Sequence, residues 1–123
     1  MVTDTLIGQR FDQATYAGLV QESKAAGNTE RAWLYLEAAH VVGQIHFKPH
    51  LQTHVHMLGL AWRTSDWREA VGQVVRLALV PLGHLSGRLP LGNPGRSNVS
   101  AFAPLPVRQD LAELIAQAAQ PLP

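Results

Sequence analysis

The sequence predicts an all-α fold of two antiparallel helical hairpins, a long ordered Gly/Pro-rich loop and a short C-terminal helix. Apolar residues recur at helical spacing over 11–79, the spacing disappears where Gly and Pro accumulate, and it returns after about residue 107. The chain has 123 residues, of which 46% are hydrophobic and 15% charged. This length and composition are typical of one globular domain. We expect a single domain over 1–123, with hairpins at 11–79, a wrapping loop at 80–106 and a closing helix at 107–119.

The first hairpin is indicated by two apolar stripes separated by Gly27-Asn28. Helical spacing over 11–26 predicts the first helix, and Gly27-Asn28 is a typical C-terminal stop. Asn28 or Thr29 can cap the second helix, which is expected to run to about Gly43. One face of it carries Trp33, Leu36, His40 and Gly43.

The second hairpin is indicated by Pro49, which fits the first turn of a third helix. Its predicted apolar seam is Leu51, Val55, Leu58 and Trp62. Asp66 and Glu69 have the spacing of a capping box. They open a fourth helix that we expect from Trp67 to about Leu79, with Pro81 as its end. The apolar residues predicted for this helix are Ala70, Val71, Val74, Val75 and Leu77, and the three tryptophans are expected in the core or between helices.

Residues 80–106 are rich in Gly and Pro but also contain leucines, two valines and a phenylalanine, which indicate an ordered segment docked on the helices. Its turn-forming stretch suggests a second hypothesis, a loop that holds a small anion or substrate. The candidate residues are Arg88, Asn93, Arg96 and Asn98. The alternative is that the asparagines only stabilise turns.

Histidine is concentrated in HFKPHLQTHVHM, residues 46–57, which holds four of the six histidines. His50 and His54 are one turn apart on the third helix. His40 ends an E-x-x-H motif with Glu37, a spacing used by metal sites in helical bundles. Because the connection at 44–48 is short, the three imidazoles are expected to converge as ligands, with Glu37 as a further ligand or orienting partner. Imidazole suits Zn, Fe, Cu and Ni.

Two other interpretations of the histidines stay open: a structural polar seam between helices, and adventitious binding of cations. The leading hypothesis is a metal-binding helical protein, with metal-dependent catalysis if a coordination position stays open. No motif identifies a catalytic residue. The alternative is a protein-interaction module, because the two hairpins share a weak echo of tetratricopeptide repeats. The apolar surface further suggests a homodimer.

Charge and cysteine content exclude other classes of function. The net charge is +1 without a basic cluster, so nucleic acid is not an expected partner. The absence of cysteine excludes disulfides, thiolate metal sites and cysteine nucleophiles. The N-terminus lacks the apolar run of a signal peptide and no stretch is apolar enough to span a membrane. We therefore expect a cytoplasmic protein with no membrane partner.

Four segments together resemble a family of small bacterial proteins known as a domain of unknown function. They are AAHVVGQ, PHLQTHVHML, DWREAVGQVVRLAL and GRLPLGNPGRSNVSAFAPLPVRQDL. The resemblance covers about residues 11–116, and its most distinctive part is the G-x-x-P-x-G-N-x-G-x-S segment. It implies a compact bacterial cytoplasmic domain with histidines corresponding to His40 and His54, and it brings no established activity.

Overall fold

The computed structural model describes residues 11–101 and 103–119, and within them the fold is all-helical, with five helices and no strand. The helices are α1 (Gln13–Ala25), α2 (Thr29–Gly43), α3 (Phe47–Arg63), α4 (Trp67–Ser86) and α5 (Gln109–Ala119). Consecutive helices α1 to α4 pack against each other, and α5 packs on both α1 and α2. Helix α2 therefore contacts every helix except α4 extensively and occupies the middle of the fold.

Short polar side chains define where the helices begin. Asp12 accepts a hydrogen bond from the N–H of Ala14, and Asn28 accepts one from Arg31 at 2.8 Å. Asp66 caps α4 by accepting from the Glu69 N–H at 3.2 Å. Each bond satisfies a helical N–H that has no partner within its own helix. The Glu69 side chain does not complete a capping box, because it is buried and bound elsewhere.

Helix α4 is longer than the sequence predicts, and the expected end near Leu79 is wrong. It continues through the exposed Pro81 to Ser86 and ends at Gly87, whose φ of 74° is left-handed. Proline removes one helical hydrogen bond. Val80 just before it and Gly83 just after it are buried, so packing accompanies the continuation of the helix. The segment outside helices therefore starts at Gly87, well after the predicted residue 80.

The buried face of α3 also differs from the prediction. Of the expected seam, Val55 is 53% and Trp62 65% exposed. The buried residues of α3 are His50, Thr53, His54, Met57, Leu60 and Ala61. The histidine stripe thus faces the interior rather than bordering it. On α4, Val71, Val74 and Val75 are likewise exposed, and only Ala70 of the expected apolar residues is buried.

The core has two apolar clusters that share α2. One joins α1, α2 and α5 around Leu19 and Leu111, and the other joins α2, α3 and α4 around Trp33 and Met57. Trp33 is in the core, and Trp62 of α3 packs edge to face on Trp67 of α4 at 5.1 Å, although both of these rings are exposed. Beside these clusters lies a third buried region that is polar. Its members are Glu37, His40, Gln44, His50, Thr53, His54, Glu69, Gln73 and Asn93.

The closing helix contributes to stability through Leu111, which is 0% exposed. Replacing Leu111 by Ala leaves a cavity between α5, α1 and α2, so we expect a loss of about 2–5 kcal/mol in the free energy of unfolding. Urea denaturation measures it. The matched control is Leu85→Ala, because Leu85 is 87% exposed and its truncation should change stability by less than about 0.5 kcal/mol. Equal effects of the two variants would contradict the packing of α5.

Candidate metal centre

Three histidines meet where α2 ends and α3 begins. His40 lies in the last turn of α2, His50 in the first turn of α3, and His54 one turn later. Their exposed fractions are 1%, 3% and 2%. A buried imidazole must find partners for both ring nitrogens or lose the hydrogen bonds that water would supply.

The Nε2 atoms of these rings converge. Nε2 of His40 lies 3.1 Å from Nε2 of His50 and 3.1 Å from Nε2 of His54. Each of the three residues offers a ligand atom, and all three atoms lie within 4.8 Å of one another. Zn–N bonds of about 2.0–2.1 Å in a tetrahedral site place two nitrogens about 3.3 Å apart. The buried triad can therefore hold a metal ion with small adjustments of the rings.

The opposite nitrogens of two rings are bound to acceptors. Nδ1 of His40 lies 2.6 Å from the carbonyl oxygen of Asn93, and Nδ1 of His54 lies 2.7 Å from Oε1 of Gln73. The Gln73 amide cannot be reversed, because its Nε2 donates to Glu69 and to the Gly95 carbonyl. Since both partners only accept, His40 and His54 carry their protons on Nδ1. Their Nε2 lone pairs consequently face each other.

His50 has the one ambiguous partner. Its Nδ1 lies 2.9 Å from Nε2 of His84, a residue of α4 that packs edge-on against Phe47. His50 can donate from Nδ1 to His84, which leaves Nε2 free for a metal. It can instead carry its proton on Nε2 toward His40 and accept from His84. The first tautomer suits a metal centre and the second a metal-free hydrogen-bonded seam.

Burial keeps the triad uncharged. Desolvation, followed by the neighbouring His54 and His50, holds the pKa of His40 well below its ordinary value. Desolvation, with His54 and His84, lowers the pKa of His50 to about 3, and desolvation also lowers the pKa of His54 to about 4. Near neutral pH all three rings are therefore neutral, which is the form that binds metal.

The loop after α4 closes over His40. Asn93 is buried and donates from Nδ2 to the carbonyls of Ser100 and Ala103, while its Oδ1 accepts from the Gly95 N–H. These bonds hold the Asn93 carbonyl against His40. Gly95 has a φ of 90°, and a Cβ there would lie 2.6 Å from Cδ2 of His40. A residue with a side chain at this position would displace the loop from the ring.

Arg96 joins the loop to two helices. It forms ion pairs of 3.2 Å with Glu37 of α2 and Glu69 of α4, and its guanidinium lies 3.8 Å from the centre of the Trp33 ring. Glu37 also accepts from Arg108 at 2.7 Å. The structure thus places Glu37 between two arginines and outside the group of side chains that can hold a metal, although the sequence predicts it as a ligand or orienting partner.

The four residues predicted as an anion loop are distributed over different surroundings. Arg96 is paired with carboxylates, and the side chain of Asn93 is occupied by backbone groups. Arg88 and Asn93 line a small cavity beside the histidines, whereas Arg96 and Asn98 are not among its lining residues. Asn98 is exposed.

Two residues around the triad are missing from the sequence prediction. Gln73 orients His54, and His84 contacts His50. Both lie on α4, and positions 73 and 84 share a face because eleven residues complete about three turns. This signal was obscured by the expectation that Pro81 ends the helix, which placed His84 in a loop.

Gln73 also provides a test of the ligand geometry. Replacing Gln73 by Ala removes the acceptor that holds His54 in its Nδ1–H tautomer, so we expect Zn²⁺ affinity to fall about 10–100-fold. Competition with a chromogenic chelator measures this. Gln52→Ala is the matched control, because Gln52 is exposed on α3. An affinity equal to that of the control would mean that Gln73 does not support a metal ligand.

Within the described part of the chain, the histidine triad is the one group of three or more His, Cys, Asp or Glu residues that can hold a metal ion. In the same residues no helix combines the length and apolarity that crossing a bilayer requires.

A family comparison agrees with the resemblance found in the sequence. A family described as "Protein of unknown function (DUF3703)" matches residues 9–115, a range that contains all three histidines of the triad and the loop that covers them. No curated protein and no solved structure matches the chain. Because the match spans most of the sequence, the chain belongs to the DUF3703 family of proteins of unknown function.

Proposed function

We propose that the protein binds one divalent transition-metal ion through His40, His50 and His54. The observation that supports this most strongly is the convergence of three buried Nε2 atoms on one point. For His40 and His54, the opposite nitrogen is already bound to an oxygen that can only accept. These two rings are therefore oriented with the lone pairs that a metal uses directed toward each other.

The electrostatics of the triad favour a cation at this point. Two acceptor nitrogens 3.1 Å apart repel each other, and burial removes the water that would screen them. A metal ion replaces this repulsion with coordination bonds. A proton on Nε2 of His50 is the alternative and can be donated to Nε2 of His40 at 3.1 Å, but the lone pairs of His40 and His54 still face each other. An all-imidazole set suits Zn, Fe, Cu or Ni, and the nitrogen spacing is close to that of tetrahedral Zn²⁺.

The experiment is a titration of untagged, metal-free protein with Zn²⁺, followed by calorimetry and thermal denaturation. We expect about one ion per chain. At free Zn²⁺ of about 100 times Kd, binding should stabilise the fold by about 2.7 kcal/mol. His40→Ala and His54→Ala should abolish both effects. The matched control is His56→Ala, because His56 is half-buried on α3 and belongs to no metal-holding group.

Two outcomes would contradict the proposal. One is wild-type protein that takes up no metal and whose melting temperature is the same with and without chelator. The other is a His40→Ala variant that still binds as wild type. If the wild type takes up no metal and the double replacement of His40 and His54 unfolds it, the histidines act as a structural seam.

A second candidate is the interaction module of tetratricopeptide type, in which the protein associates with a second copy of itself. One observation favours it: α3 and α4 expose large apolar side chains, namely Val55, Trp62, Trp67, Val71, Val74, Val75, Leu82 and Leu85. The exposed apolar side chains of α4 occupy a sector of about 100° around the helix axis. The helix has 20 residues and is about 30 Å long. A stripe of this kind can pair with its own copy about a two-fold axis.

Light scattering after size exclusion tests this second candidate. The wild type is expected to elute as a dimer, and the double variant Val71→Asp with Val74→Asp as a monomer, because charges would be buried at the contact. Gln117→Asp, an exposed change on α5, is the control and should stay dimeric. A monomeric wild type would exclude self-association through this face.

A further inference from the structure

A cavity of about 20 Å³ lies directly beside the histidine triad. All three histidines line it, together with Arg76 and Val80 of α4 and residues of the loop that follows. A space of this size accommodates one water-sized group and is too small for an organic substrate. Any ligand that enters the cavity therefore lies close to the three imidazoles and to Arg76.

The described residues offer no fourth protein ligand at this point. His84 is the nearest further histidine, but its Nε2 faces Nδ1 of His50 on the far side of that ring. Glu69 lies on the same face of α4, and its carboxylate accepts from Gln73 and from both the N–H and the hydroxyl of Ser97. A metal on the triad would keep an open coordination position toward the cavity, as catalytic rather than structural zinc sites do.

The charges around the cavity favour an anion in that position. Three neutral imidazoles would leave a divalent ion with its full charge. Arg76 and Arg88 both line the cavity together with the three rings and add positive charge at its wall. The guanidinium of Arg76 has five N–H donors in all. Its described hydrogen bonds are to the carbonyls of Gly72 and Val99.

We propose that the fourth ligand of the metal is a small inorganic anion, bound through one atom inside this cavity and held by Arg76. The inference rests on the proposed metal binding. It identifies the centre as one that exchanges a small ligand with solvent. The cavity has room for about one water-sized group, so a slender anion such as azide can enter with its coordinating atom, whereas sulfate and phosphate are too wide at that atom. Arg76 provides the charge that distinguishes an anion from neutral water.

The test uses Co²⁺-loaded full-length protein titrated with sodium azide while the visible d–d absorption is recorded. We expect a saturable change in the spectrum with azide and no change with sulfate at concentrations at which azide saturates. Arg76→Met should retain about one Co²⁺ per chain and weaken azide binding about tenfold or more. Arg68→Met, an exposed change on the same helix, is the matched control and should bind azide as wild type does.

The outcomes separate the two proposals. If the wild type binds no Co²⁺, the metal proposal fails and the anion proposal fails with it. If Co²⁺ binds but azide leaves the spectrum unchanged, metal binding stands and the open position is excluded. A spectral change that sulfate reproduces would contradict the size limit, and an Arg76→Met variant that binds azide like Arg68→Met would exclude the arginine. If Arg76→Met does not fold, the azide and sulfate titrations of the wild type decide the size and openness of the position, and Arg76→Lys tests its charge.

Discussion

The metal-free protein is expected to unfold in weak acid, and the midpoint of unfolding should lie at about pH 5. The three rings are neutral when folded, because burial lowers the pKa of His50 to about 3, that of His54 to about 4 and that of His40 well below its usual range. In the unfolded chain each histidine has a pKa of about 6.5. As the pH falls below this value, the unfolded state binds more protons and becomes favoured.

The sign of the pH dependence follows directly. The stability that the neutral rings contribute is fully present above about pH 6.5 and is lost progressively below it. Each histidine gives a slope of at most about 1.4 kcal/mol per pH unit, so the three together give about 4 kcal/mol per unit. Domains are typically stable by about 5–15 kcal/mol, and a fall of one to two pH units can therefore exhaust this reserve.

Urea denaturation of metal-free protein at a series of pH values above about 5.5 measures the slope with little contribution from carboxylates. His54→Leu should flatten the slope by about a third, because one of three titrating rings is lost. His56→Gln is the control and should leave most of the slope unchanged, since His56 is only half-buried. A stability that is constant between about pH 7 and 5.5 would contradict the burial of the triad.

Arg96→Met is expected to cost about 3 kcal/mol of stability at neutral pH. Glu37 and Glu69 are each 4% exposed and are paired with this arginine. Removing the arginine leaves buried negative charge that is less compensated. This cost is at the lower end of the range that is usual when one partner of a buried ion pair is removed. Arg108 still pairs with Glu37, and Ser97 still donates to Glu69.

The measurement is chemical denaturation of metal-free protein. Adding Glu69→Gln to Arg96→Met should recover about 1 kcal/mol or more, since Glu69 loses its arginine partner in that variant whereas Glu37 keeps Arg108. Arg68→Met is the matched control for the loss of an exposed arginine and should stay within about 0.5 kcal/mol of the wild type. If Arg96→Met is as stable as Arg68→Met, the arginine is not needed to compensate the two carboxylates.

The histidine triad could be predicted because its information is local. His50 and His54 are one turn apart on one helix, and the short connection brings the end of α2 near the start of α3. Local sequence also predicted a cap at Asn28 or Thr29 and another at Asp66, and the structure has Asn28 and Asp66 as caps.

The partners of the triad could not be predicted in this way, because they are distant in the chain. The Asn93 carbonyl lies 53 positions from His40 and Glu37 lies 59 positions from Arg96. No periodicity relates residues of a loop to a helix that precedes it. The E-x-x-H spacing suggested Glu37 for the metal, but the loop supplies Arg96 on that side and the carboxylate pairs with it instead.

By itself, the sequence determined the helical class, the start points of α2 and α4 and the grouping of three imidazoles, since these depend on spacing and on capping by neighbouring residues. The tertiary structure decided which face of α3 is buried, how far α4 continues beyond Pro81, and which nitrogen of His40 and of His54 is free. The reason is energetic. Hydrophobicity alone favours burying Val55 and Trp62, but buried histidines with complementary acceptors on a neighbouring helix and loop offset their desolvation, and the apolar residues are left at the surface.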